Sequence, residues 1–406
     1  MTNKIKKPKL LAPAGDWTML NTAINAGADE IYFGLKNLNM RVKAGNFDIT
    51  DIDEIVNVCK KNNVQTHLTL NSIVFEDELD ELDTIIKKAK DAGIDMIICW
   101  DPAVIMKCNE YNIPFCVSTQ ASITNSQAAL YYERLGAKRI VLARECTLEK
   151  IKEIKNKTSL EIETFVHGAM CIAVSGRCFM SHEVFGKSAN RGECIQPCRR
   201  EYEIVDKDEK YSMIIGEDYV LSPKDLCTIE FLDKLIESGI DAFKIEGRKR
   251  SPEYIAKTVS VYKSAIDDYY LDSLTKEKKS YYLEELNKVY NRGFSPGFYF
   301  GVPGSESYTD TYGSIASTRK VYVGKVVNYY KKSKVAQIKI EADKISVGDS
   351  IYIIGKTTGT VELTVKEILK DDVVISEAIK SDNITIPCEE RVREFDKVYK
   401  IISMEG

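Results

Sequence analysis

The sequence predicts an α/β chain: a TIM-like (β/α)8 barrel with a Cys-rich insertion, followed by a small C-terminal β-barrel domain. Three observations predict it. One pattern recurs four times, as GADEIYF (Gly27–Phe33), GIDMIIC (Gly93–Cys99), GAKRIVL (Gly136–Leu142) and GIDAFKI (Gly239–Ile245). Each glycine follows an amphipathic run such as LDTIIKKAKDAG, as a helix C-terminus requires, because glycine takes the left-handed conformation without a Cβ clash. The apolar residues after it read as a buried parallel strand. Second, about eight such units fit within roughly 250 residues, the size of a (β/α)8 barrel. No G-x-G-x-x-G follows the first strand, as an open dinucleotide-binding sheet would need. Third, the texture changes after about Arg319 to short β-type runs separated by turn residues, which predicts a small closed barrel.

In chain order the barrel strands are expected at Lys9–Ala12, in the first glycine repeat, at Gln65–Asn71, in the second repeat, at Phe115–Gln120, in the third repeat, at Glu161–His167 and in the fourth repeat. This places the barrel at residues 1–310 and the β domain at 318–406. The rhythm breaks only at residues 168–228. That segment reads as an insertion at the C-terminal end of a strand, the face where such barrels carry chemistry.

Composition narrows the class. The 406 residues are 44% hydrophobic and 29% charged with a formal charge of −4, as in an ordinary globular protein without a nucleic-acid-type charge excess. The N-terminal basic residues precede no apolar core, and no run reaches the roughly 20 apolar residues of a membrane span. A cytoplasmic protein is expected. There the eleven cysteines stay reduced, and their odd number also argues against a disulfide framework.

Strand alternation predicts which side chains face the barrel axis. Thr164 and Val166 form the outward set of their strand, so Glu163, Phe165 and His167 should point inward. By the same argument His67, Thr69 and Asn71, then Cys116, Ser118 and Gln120, then Lys244 and Glu246 face the axis. Barrel interiors are normally Val, Ile and Leu, so these polar groups must be paired or used. Part of the set reads as an internal polar network and part as a ligand pocket. Lys244 and Arg248 suit a carboxylate-bearing substrate.

Four thiols follow in the spacing C-x6-C-x15-C-x3-C, at Cys171, Cys178, Cys194 and Cys198, with Cys227 in LSPKDLC 29 positions further on. Zinc knuckles come in C-x2–4-C pairs, and only the Cys194–Cys198 pair approaches that. An iron–sulfur cluster accepts wider spacing. A nucleophile needs one thiol activated by a base such as His167 or His182 and leaves the other thiols unexplained. Metal or cluster, packing and nucleophile all remain open from residue types alone. Cys59, Cys99, Cys108 and Cys146 fall in expected helices or strands and read as core.

This segment resembles the signature of peptidase family U32, E-x-F-x2-G-[SA]-x-C continued by G-x-C and Ser. The matching residues are Glu163, Phe165, Gly168, Ala169, Cys171, Gly176, Cys178 and Ser181. LLAPAG, IYFG, ANRGECIQPCR, LSPKDLC, KIEGR and NRGFSPGF fit the same family. The family is named for collagenase-like peptidases, yet H-E-x-x-H is absent from the chain. It also includes oxygen-independent hydroxylation proteins for tRNA, rRNA or the ubiquinone ring, and the pattern here is most similar to the tRNA branch. The resemblance implies a 4Fe–4S cluster on Cys171, Cys178 and Cys194, with either Cys198 or Cys227 as the fourth ligand. It further implies prephenate as co-substrate, tRNA as macromolecular substrate, and either a paralogous partner or a homo-oligomer. On that basis His167, Glu163, Lys244 and Glu246 are the expected catalytic residues. Asn71, Gln120, Arg144 and Arg248 are the expected substrate contacts.

Overall fold

The computed structural model describes residues 5–200 and 221–404, apart from positions 43 and 312. Residues 201–220 of the expected insertion lie outside the described residues. Eight parallel strands close a barrel in chain order: β1 (Lys9–Pro13), β2 (Glu30–Gly34), β3 (Gln65–Thr69), β4 (Met96–Cys99), β5 (Phe115–Val117), β6 (Arg139–Val141), β7 (Glu161–Gly168) and, after a short β8 (Asp225–Cys227), β9 (Ala242–Ile245). Closure is made by β9, which pairs with β7 on one side and with β1 on the other.

Local chemistry sets the helices between them. α1 (Trp17–Asn25) is capped by Asp16, whose carboxylate accepts the Met19 N–H at 2.9 Å. Similar caps start α4 (Pro102–Glu110) at Asp101 and α5 (Ser126–Arg134) at Asn125. Gly27, Gly93, Gly136 and Gly239 all take positive φ, which explains the glycine repeat in the sequence.

Two irregularities matter for the site. The β7–β9 register shifts between Phe165 and His167, so Phe165 pairs with the inward Lys244 while His167 pairs with the outward Ile245. This β-bulge inserts one residue and reverses the alternation. Beyond it, β8 runs antiparallel to the end of β7, with His167 opposite Cys227 and Gly168 opposite Leu226. On its far side β8 pairs with β10 (Phe294–Ser295).

The C-terminal domain is an eight-stranded antiparallel sheet plus a two-stranded ribbon, folded around one core of residues such as Val323, Ile338, Ile353 and Ile386. It rests on α1 and on α9 (Pro252–Tyr270). Contacts include Thr22 Oγ1 to Thr360 Oγ1 at 3.1 Å and Lys257 to Glu362 at 3.1 Å. Among the described residues no helix is long and apolar enough to cross a membrane.

Candidate active site at the barrel mouth

The barrel interior divides into two polar layers. In the lower one Arg139 reaches three carboxylates: Glu30 at 2.9 Å, Glu161 at 2.8 Å and Glu163 at 3.2 Å. Glu163, fully buried, also takes a 2.8 Å ion pair from Lys244. Burial alone would raise the Glu163 pKa. Lys244 and Arg139 outweigh it and hold the carboxyl below its ordinary value. His67 lies beside this layer, pushed down to about 3 by burial and by Arg139, with Nδ1 unpartnered.

Above it opens a cavity of about 390 Å³ whose lining includes Lys244, Glu246, Arg248, Arg144, Asn71 and Gln120. Lys244 stands 4.5 Å over the Tyr32 ring. Arg248 is buried and donates to Thr69 Oγ1 at 3.0 Å, to Asn39 Oδ1 at 2.8 Å and to Asn46. A Cβ at position 34 would lie 2.4 Å from Arg248 Nη2, so Gly34 makes room for the guanidinium. Burial pushes Arg248 down to about 10. Arg144 packs its guanidinium 4.2 Å from the Phe165 ring and leaves Nε without a partner. Among the described residues neither Arg144 nor Arg248 has a carboxylate at ion-pair distance. The carboxylate among the lining groups is Glu246, 3.4 Å from Arg41; burial raises its pKa, but Arg41, Arg250 and Arg144 hold it below its ordinary value. Asn71 donates to Ser118 Oγ at 3.2 Å, and Ser118 donates to Gln120.

The thiol segment forms the roof. Cys171, Cys178, Cys194 and Cys198 all line the cavity, and all are free. Several contacts pin this segment to the strand-end loops. Ser175 binds Glu145 at 3.0 Å, Arg177 donates to the Gln120 carbonyl at 2.8 Å, Arg191 to Glu78 at 2.9 Å, and Arg199 to the Pro223 carbonyl at 3.0 Å. Gly192 has φ +86 and packs against Asn39 so closely that a Cβ would lie 2.3 Å from its carbonyl oxygen.

Four free thiols around one cavity have the donor chemistry an iron–sulfur cluster needs. Two of the thiols already accept donors, Cys178 from the Met180 N–H at 3.4 Å and Cys194 from the buried Ser181 hydroxyl at 3.9 Å. Such contacts stabilise sulfur carrying negative charge. Among the described residues no three His, Cys, Asp or Glu side chains converge as ligands of one metal ion. A four-iron cluster spreads its ligands wider, one thiolate to each iron.

Two expected site residues sit elsewhere. The bulge turns His167 away from the axis, and its ring packs among Tyr254, Tyr262 and Phe294 at 5.5–5.9 Å between centroids. Cys227 is buried beside it with Sγ 3.8 Å from Tyr262 Oη, because β8 follows the displaced end of β7. Neither lines the cavity. Glu163 lies one layer below and reaches the cavity through Lys244. Sequence reasoning missed Tyr32, Arg139 and Arg41. Alternation against Ile31 and Ile140 could have found the first two. Arg41 lies in a loop without periodicity.

Residues 15–309 match the family model described as peptidase family U32. An uncharacterized protease of Methanocaldococcus jannaschii is 42% identical over 96% of this chain and 97% of its own length. A collagenase of Porphyromonas gingivalis is 38% identical over 98% of each chain. The tRNA hydroxylation protein P1 of Bacillus subtilis is 37% identical over 90% of this chain and 88% of its own.

Proposed function

The chain belongs to peptidase family U32, and from that premise we propose that it is an RNA-modifying enzyme. It hydroxylates the wobble uridine of tRNA at C5 without molecular oxygen, with an iron–sulfur cluster on the thiol segment and prephenate as co-substrate. The observation that carries this reading is a thiol-roofed barrel mouth in which cations outnumber carboxylates. The tRNA hydroxylation relative supports the choice of RNA.

A cluster held by Cys171, Cys178, Cys194 and Cys198 would supply one-electron chemistry. The chain's own residues do the rest. Arg248 and Arg144 take the carboxylates of the co-substrate, for which a rigid guanidinium is better suited than an ammonium. Lys244 adds a third positive charge, positioned by Glu163 beneath it. The amides of Asn71 and Gln120 meet the uracil edge, and the ionised Glu246 accepts its N3–H. The base enters only after leaving its stack, as a loop nucleotide can.

A peptidase reading rests on the collagenase relative. Against it, the cavity lining among the described residues contains no histidine to activate a thiol or hydroxyl. Hydroxylation of rRNA or a quinone precursor keeps the same site with a different acceptor. A non-catalytic cluster protein keeps the thiols and needs none of the cations.

One experiment separates these readings. Protein purified without oxygen is assayed for iron, sulfide and visible absorption, and tRNA nucleosides of a deletion strain are profiled by mass spectrometry. We expect about four irons per chain and loss of 5-hydroxyuridine derivatives. Zinc in place of iron removes the cluster; unchanged nucleosides remove the tRNA substrate. Gelatin turnover that survives purification to homogeneity and is lost on one cavity substitution favours the peptidase.

A further inference from the structure

The thiol segment has an outer face that the chemistry above does not use. Gly176 and Cys178 line the cavity, yet Val174 and Phe179, in the same short stretch, are 67% and 72% exposed. The following helix, α7 (Met180–Phe185), exposes Val184 and Phe185 as well. Large apolar side chains gathered beside a functional mouth mark a contact surface.

Charge decides what kind of contact. Between Cys171 and Arg200 the segment carries five Lys or Arg and two Glu, although the whole chain is acidic. The rings here have guanidinium groups beside them. Arg200 lies 4.4 Å from the Phe185 ring, and Arg177 lies 5.1 Å from that of Trp100. Arg191 lies 4.5 Å from Phe75, which is itself exposed on the neighbouring strand-end loop. Rings beside arginines occur at protein interfaces too; the excess of five cations over two carboxylates in the segment favours instead a surface that stacks the bases of a single strand and tracks its phosphates.

We propose that the outer face of the thiol segment docks a single-stranded RNA loop, with Phe179 and Phe185 stacking bases that flank the one entering the cavity and Arg200 meeting the backbone. This rests on the RNA reading above and adds the surface that presents the nucleotide. The roof thus serves two faces at once, thiols inward and stacking rings outward.

The test uses the full chain and two probes, a fluorescent RNA hairpin with uridines in its loop and the fully paired duplex of the same stem. Phe179→Ala/Phe185→Ala is expected to weaken hairpin binding about tenfold or more while leaving duplex binding, iron content and the melting temperature unchanged. Phe179→Trp should retain binding. Arg200→Gln should lower the salt dependence of hairpin binding by about one in slope. If the native chain binds the hairpin and the double alanine variant binds it equally well, the docking surface is wrong and the hydroxylation reading stands. If the native chain does not prefer hairpin to duplex and deletion leaves tRNA nucleosides unchanged, both fall. If the double variant instead loses self-association or a co-purifying protein while its RNA affinity holds, the face belongs to a protein partner.

Discussion

The two ends of this barrel use the same residue types to opposite purpose. At the lower end one arginine meets three carboxylates and every charge has a partner. At the mouth the buried Arg248 and the half-buried Arg144 have no carboxylate at ion-pair distance among the described residues, and Glu246 is engaged by Arg41. A self-satisfied network is costly to break at any one member; a surplus of one sign attracts a ligand of the other. The difference separates structural polarity from functional polarity inside a single β-barrel.

That separation is testable. Arg139→Met leaves the buried Glu30 with Lys9 and His67, at 3.8 and 3.7 Å, as its remaining partners, while Glu163 keeps Lys244; it should destabilise the protein by about 3–5 kcal/mol in urea unfolding. Arg248→Met should destabilise it far less, because it removes a cation whose neighbours are neutral oxygens. Equal losses from the two substitutions would erase the distinction. Next in size is ligand linkage. Prephenate at a hundredfold its dissociation constant should add about 2.7 kcal/mol to the native chain, read as a shift in thermal midpoint, and nothing to Arg248→Met. The smallest effect belongs to His67. Its pKa falls from an ordinary 6.5 to about 3 on folding, so the unfolded chain binds the extra proton. Its contribution is complete above pH 6.5 and is lost as pH drops toward 3. His67→Gln should therefore reduce the stability lost between pH 7 and pH 5 by about 2 kcal/mol.

The barrel was legible because its signals are local and repeated. The glycines that end helices and the apolar runs after them are consequences of backbone sterics; four barrel strands follow such glycines, and the other four fall at the further expected runs. Most of the site was legible for a similar reason. Alternation brings Asn71, Gln120, Lys244 and Glu246 to one mouth, and the four closely spaced thiols line it. Failure came where geometry depends on pairing rather than on sequence. One bulge in β7 reverses the side that His167 faces, and the antiparallel β8 carries Cys227 after it. Neither event leaves a mark in the residues themselves. Arg41 was missed because nothing periodic in its loop announces a side chain aimed at Glu246.

The perch of the C-terminal sheet has a consequence for folding. Of all the barrel's strand pairs, the seam between β1 and β9 joins the segments farthest apart in the chain. Such a closure bears the largest loop entropy and tends to come late. α1 leaves β1, α9 follows β9, and the sheet grips both, with Gly359 so near α1 that a Cβ would stand 2.8 Å from Thr22 N. The C-terminal sheet thereby acts as a latch across the joint that carries Lys244, tying together the two helices that flank it.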